Sequence, residues 1–534
     1  MSARTGRSEI GWVIAWAVVI VLVSSAPYMV GIASAPPGYH FLGLTHNIDD
    51  GAVYLSWMKQ ASDGHFFIRN LFTNEPQTAR QFNVLFLVMG WTAHLAHLPL
   101  IWTFHLFRML LGVGFMLCVY KFGRLFLNKP EQRRALIPIV GLSSGIGWLL
   151  GARPPTGSVD MWQPEAITFL SIYLNPLFLA GLLLMLGSLY FLIDAQRTGR
   201  ALSAVYAGLL LLLLGNVHTY DVITVGCVWT AYLAVLWAVE RRFPRRLVLM
   251  SLLAALIALP SVGYQFYLYR IDEVFRARAN SAAPSPAIWS FFAGYGLVLA
   301  GAAVGAGMLL MEHRRLRPAK PAEAPNGLVL IVWSVVGFAI PYIPVGQQRK
   351  LIMGLHVPLC ILCAYAIARL LTLAPGNLQR LVLVLFITIC CASNARFLAD
   401  DASAVSTGCT APGYAPYISS AELAAMDYLG KHAAPSDSVL APPDFALFTP
   451  ALAGRQVQYG HWSETPNYGE GINRWAALGN PATSLDAWSY IVSDNTRQYY
   501  VSTDRRWDPP PALISPRMIE CFRSGPVGVY RIGR

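Results

Sequence analysis

The sequence predicts a polytopic α-helical membrane protein of about eleven spanning helices with a small C-terminal α/β or α+β extracytoplasmic domain. Three observations carry this: about eleven long apolar runs, a scarcity of charge, and a change of composition near residue 400. Of the 534 residues, 55% are hydrophobic and only 13% charged, with a mean hydropathy of +0.47, whereas a soluble domain carries about 25% charged residues. Lipid is therefore the solvent of most of the chain. The formal charge of +12 does not point to nucleic acid, because the cations form short clusters between apolar runs and no basic face or stripe.

The first run, Ile10 to about Ile32, is long enough to span and exceeds the roughly 7–15 apolar residues of a cleaved signal peptide. It reads as a retained first helix. Further runs lie near 101–123, 135–152, 167–194, 201–216, 219–239, 247–268, 287–311, 328–345, 351–373 and 381–398. Arg4 and Arg7, Lys121 to Arg134, Arg197 with Arg200, Arg241 to Arg246, Arg314 to Lys320 and Arg380 then fall on one side. That is the positive-inside pattern, and it places the N-terminus in the cytoplasm and the tail outside. Residues 81–98 are apolar but would reverse this pattern if they crossed, so they read as an interfacial or re-entrant helix.

The expected division is a transmembrane domain over 1–399, with a first outer loop at 33–100, and an extracytoplasmic domain over 400–534. In the latter, Ser419 to Lys431 has helical apolar spacing and a Ser cap before Glu422. Strands are predicted at 438–441, 456–459, 490–492, 498–501 and 528–531. Six of the eight cysteines lie in apolar runs, where a small buried hydrophobe is the ordinary role. Cys409 and Cys521 remain in the tail, where an oxidising compartment would allow a disulfide.

Four polar groups fall on the outer side. The first is His46-Asn-Ile-Asp49-Asp50, followed by Tyr54 and Trp57. Adjacent carboxylates repel, so keeping both ionised needs a cation, a donor or a task such as deprotonating a hydroxyl. The plainer reading makes one of them the cap of an interfacial helix over 52–61. The second is Asp160-Met-Trp162-Gln-Pro164-Glu165, where Pro164 and Glu165 suit a helix start and Trp162 beside an acid suits a sugar face. The third is Asn216-Val-His218-Thr-Tyr220-Asp221, a polar hinge between apolar runs that also reads as an ordinary turn. The fourth, Gln347-Gln348-Arg349-Lys350, breaks the positive-inside pattern and asks for an anion, either a phosphate group or lipid headgroups. Arg270, Arg276 and Arg278 are further cations on that side.

This order of features resembles the GT-C superfamily of membrane glycosyltransferases, in an uncharacterised bacterial branch. Asp49-Asp50 lies in the long first outer loop, where that superfamily places its catalytic acid, and the Asp160 to Glu165 stretch is similar in position to a second outer-loop acidic motif. The terminal stretch Ala453 to Thr465, with His461, Trp462 and Glu464, resembles the soluble tail of bacterial members. The resemblance implies a polyprenyl-phosphate sugar as donor and a glycan, lipid or protein hydroxyl as acceptor. Arg349, with Lys350 or Gln348, would bind the donor phosphate, and Asp49 or Asp50 would be the base for inverting displacement. Tyr54, Asp160, Trp162, Glu165, His218, Asp221, His461 and Glu464 would line the substrate pocket. No metal is required, although Asp50, Asp160 and Glu165 leave room for a divalent cation.

Two other classes fit the composition. A transporter or flippase of a lipid-linked or anionic solute would carry mid-membrane charges, broken helices and an internal repeat, whereas the charges here concentrate at loops. A membrane glycan polymerase or ligase would share donor and topology. The expected location is a bacterial inner membrane, with the tail in the periplasm or cell exterior.

Overall fold

The structure, a computed structural model, describes residues 2–150, 156–316, 327–372, 375–408, 416–480, 482, 484–493, 498–511, 513 and 518–532. Cys409, and with it the pairing to Cys521, lies outside the described residues. The chain forms two compact units: one of Met1–Ala26, His105–Phe266 and Ala282–Asp400, the other of Pro27–Phe104, Tyr267–Ser281 and Asp401–Arg534.

The first unit is helical because its apolar runs must satisfy their own backbone groups in lipid. Seven described helices are long and apolar enough to cross: Ser8–Ala33, Leu100–Gly123, Pro176–Thr198, Tyr220–Glu240, Arg245–Ile271, Ile288–Glu312 and Gln348–Leu371. Gly376–Cys390 and Ala392–Ser406, bent by 44°, add an eighth if they act as one span. The protein is thus a multi-pass membrane protein. Of the other runs expected to span, Ala201–Val217 and Leu328–Tyr342 form shorter apolar helices. The 135–152 run is broken: Pro130–Leu142 stops at Ser143 and a short helix resumes at Gly147–Leu150.

This break and the bend near residue 391 satisfy each other. The Ser144 amide and hydroxyl both donate to the Cys390 carbonyl at 2.7 Å, and Asn394 Nδ2 donates to the Leu142 carbonyl at 2.8 Å. The Trp148 amide donates to Ser393 Oγ at 3.0 Å. Backbone groups freed by both interruptions are thereby paired, as a low-dielectric setting demands. Arg108 is buried too, and its guanidinium donates to Ser24 Oγ, Ser25 Oγ and the Ile172 carbonyl at 3.0, 2.7 and 3.0 Å. A cation in such a place persists because its donors are filled.

The second unit is built on a five-stranded mixed sheet. Strand β1 (Tyr39–Phe41), from the first outer loop, pairs antiparallel with β2 (Tyr417–Ser419), so loop and tail fold together. The main sheet uses β3 (Ser438–Leu440), β4 (Gln456–Val457), β5 (Gln498–Ser502), β6 (Met518–Ser524) and β7 (Val527–Ile532), in the order β4-β3-β5-β7-β6. β3 runs parallel to β4 and β5, and β7 antiparallel to β5 and β6. The β4 edge is covered by the first loop: the Val457 amide donates to the Leu71 carbonyl at 2.9 Å, and Thr73 bridges Tyr459. The expected helix appears as Ser420–His432, with the reciprocal Ser419 and Glu422 capping box in place. Residues 81–98 contain the 13-residue helix Val84–Ala96, capped by Asn83.

The strand predicted at 490–492 is corrected. Those residues belong to helix Ser484–Ser493, and Trp488 with Ile491, three apart on one face, enters a core of Trp475, Tyr500, Tyr530 and Met518. Trp488→Ala is expected to lower the stability of this unit by about 3–5 kcal/mol. Ser489→Ala, on the exposed side, should change it by no more than about 0.5 kcal/mol, both read by proteolysis across a denaturant series.

Candidate functional site

The carboxylate pair lies at the start of helix Ile48–Ser62. Neither Asp is the cap: that position is Asn47, in the left-handed region at φ 48° with no side-chain cap bond, and Asp49 and Asp50 occupy the first turn. The helix dipole favours anions there. The helix is longer than the expected 52–61 and is packed on most sides, with Ala52, Val53, Leu55, Met58 and even Ser56 and Gln60 buried. Tyr54 belongs to this packing, its ring stacked on Phe86 with centroids 5.2 Å apart.

Two aromatic side chains of the tail reach the pair. Trp462 Nε1 donates to Asp49 Oδ2 at 2.9 Å. His461 Nε2 lies 3.7 Å from Asp49 Oδ2 and 3.9 Å from Asp50 Oδ1, with the ring 1% exposed. The turn that carries them is tied to the first loop. Thr465 Oγ1 accepts from the Gly460 and His461 amides at 3.1 and 3.3 Å and donates to the Phe72 carbonyl at 2.6 Å. Asn70 Nδ2 donates to the Glu464 carbonyl at 2.7 Å. On the far side of Glu464, its Oε2 lies 3.5 Å from Arg278 Nη1, and the Arg278 guanidinium rests 5.4 Å from the Trp57 ring centroid. Arg278 is thus an anion partner already matched by an acid. A small cleft opens beside it, lined by Asn70, Gln77, Thr78, Gln81, Asp272 and Phe275 among others.

The other three groups meet in the helical unit. Gln163 Nε2 donates to the Arg349 carbonyl at 2.8 Å, and the Arg349 guanidinium carbon lies 5.5 Å from the Trp162 ring centroid. Arg349 Nε is buried and makes no hydrogen bond. Lys350 Nζ is 5.3 Å from the Tyr220 ring centroid, one residue before Asp221. Asp221 is fully buried, and His218 Nδ1 approaches its Oδ2 at 3.0 Å at an angle that makes no hydrogen bond. The cluster therefore holds two cations with stacking partners and an acid that lacks aligned donors. Gln348 donates to the Ile343 carbonyl at 3.0 Å and accepts from the Ser285 amide at 3.4 Å.

Asp160 has donors on both carboxylate oxygens. It is fully buried, with Oδ2 accepting from the Gly145 and Gly147 amides at 2.9 and 3.1 Å and Oδ1 from the Ser158 hydroxyl. Burial raises its pKa, and the hydroxyl and amide donors partly offset that. The enclosed carboxylate fastens the helix break at 143–146. Glu165 is also buried, 8% exposed. Among the described residues no three His, Cys, Asp or Glu side chains gather as a metal site.

No protein-family model and no curated protein matches the chain. Among solved structures, ArnT from Cupriavidus metallidurans in the apo state, a GT-C glycosyltransferase, matches over 97% of this chain and 98% of its own, with a TM-score of 0.52 at 14% identity. The chain shares the overall fold of that protein. Within this fold, the groups legible as candidates were the acids, the cations, His461 and Glu464. Asn70, Phe72 and Thr465, which fix the tail turn, carry no sequence signal, because amides and hydroxyls in loops are common and their partners lie 393 and 394 positions away.

Asp160→Ala would strand two buried amides and is expected to cost about 1–3 kcal/mol for each. Asp160→Asn, which still accepts, should lose less. Thermal unfolding of the detergent-solubilised variants checks the order.

Proposed function

We propose that the protein is an inverting membrane glycosyltransferase that moves a hexosyl or pentosyl group from a polyprenyl-phosphate donor to an acceptor hydroxyl. The observation that carries the reading is the Asp49 and Asp50 pair, set at a helix start and faced by His461 and Trp462. The likeness to ArnT over nearly the whole chain supports it.

The chemistry divides between the pair. Asp49 is held by the Trp462 N–H, while Asp50 is the more exposed, 43% against 24%. Asp50 is accordingly assigned as the base. It takes the proton of the acceptor hydroxyl as that oxygen bonds to the anomeric carbon, and the bond from that carbon to the phosphate oxygen breaks with inversion. The departing polyprenyl phosphate carries the displaced electron pair, and Arg349 with Lys350 would stabilise its charge. Arg349 presents an unspent buried N–H for such an anion. The acceptor is a glycan, lipid or protein hydroxyl, and a divalent cation is not needed for this leaving group. The site faces the outside of a bacterial inner membrane in this proposal, with the N-terminus cytoplasmic.

Transfer from radiolabelled polyprenyl-phosphate sugars by the purified protein tests the proposal. Asp50→Asn is expected to lower kcat by about 100-fold or more, and Asp49→Asn by less. Arg349→Ala should raise KM for the donor about tenfold, the loss of a charge-assisted bond. Undiminished transfer by well-folded Asp49→Asn and Asp50→Asn proteins would remove the site assignment.

A further inference from the structure

We infer that His461 is a positioning residue for the carboxylate pair, its Nε2–H acting as a donor shared by Asp49 and Asp50. The inference rests on those acids being the reacting pair.

The tautomer follows from the turn. His461 Nδ1 faces the amides of Ser463 and Glu464 at 3.1 and 3.3 Å, and the Ser463 hydroxyl at 3.2 Å. An amide can only donate, so Nδ1 is an acceptor and carries no proton, and the neutral ring bears its proton on Nε2. That N–H is buried and has no hydrogen-bond partner, yet its nitrogen lies 3.7 and 3.9 Å from oxygens of the two carboxylates. A buried donor left unpaired is costly. Adjacent carboxylates repel, and a single N–H near both offsets part of that repulsion. The distances exceed a formed hydrogen bond by about 0.8 Å, a gap that active sites commonly close when substrate binds. Thr465 and Asn70, by fixing the turn on residues 70–72, set where the donor points.

A role confined to the turn makes the opposite prediction, and two substitutions separate the roles. His461→Asn keeps an oxygen near Nδ1 to accept the turn amides, as Asn does in turns, and removes the distal donor. His461→Gln places an amide N–H near Nε2 and weakens the turn. The expected result is that His461→Asn retains the wild-type unfolding temperature but loses about tenfold or more in kcat, one hydrogen bond to a charged group. His461→Gln is expected to recover part of that kcat despite a lower unfolding temperature. Wild-type kcat in His461→Asn, or losses in both variants that track their stability, would overturn the inference. If Asp49→Asn and Asp50→Asn both transfer normally, it is the underlying assignment that fails instead.

Discussion

The placement of the Asp49 and Asp50 side chains depends on one tie between distant parts of the chain. Residues 460–465 are fastened to residues 70–72 through Thr465 and Asn70, and that fastening brings Trp462 and His461 onto the first turn of helix Ile48–Ser62. Both ends of the second unit are knit in the same way, by β1 on β2 and by Leu71 on the β4 edge. The first outer loop and the tail are therefore one folding unit. Neither has a complete set of partners without the other.

The helical unit solves a different problem. Its interruptions at 143–146 and near 391 would leave backbone groups unpaired, and Ser144, Asn394, Ser393 and Asp160 meet that need from opposite sides. Several buried polar side chains that look functional by type are explained by this demand. Arg349 is not, because its buried Nε keeps an unused N–H beside the Trp162 face.

The sequence is most informative where a physical rule acts on a single segment. Apolar length alone finds the helices of the membrane unit, and the Ser419 to Glu422 spacing finds a capping box. It misleads where a run conceals an interruption, as at Ser143-Ser144-Gly145, and where a short apolar triplet fits two periods, as at Tyr490-Ile-Val492. β6 escapes notice because it lies on the sheet edge with Ile519 exposed and shows little alternation. Acids and cations in outer loops stand out by type. Their partners do not: the Trp462 to Asp49 bond joins residues 413 positions apart, and nothing local to either announces it.

That bond also offers the most direct test of the account, because it joins tail to carboxylate in one contact. A double-mutant cycle on kcat for sugar transfer, using Asp49→Asn and Trp462→Phe, measures the coupling between them. The account predicts that the double variant falls short of the summed single losses by about 0.5–3 kcal/mol, the range for residues in direct contact. Strictly additive losses, or no loss from either change, would contradict it.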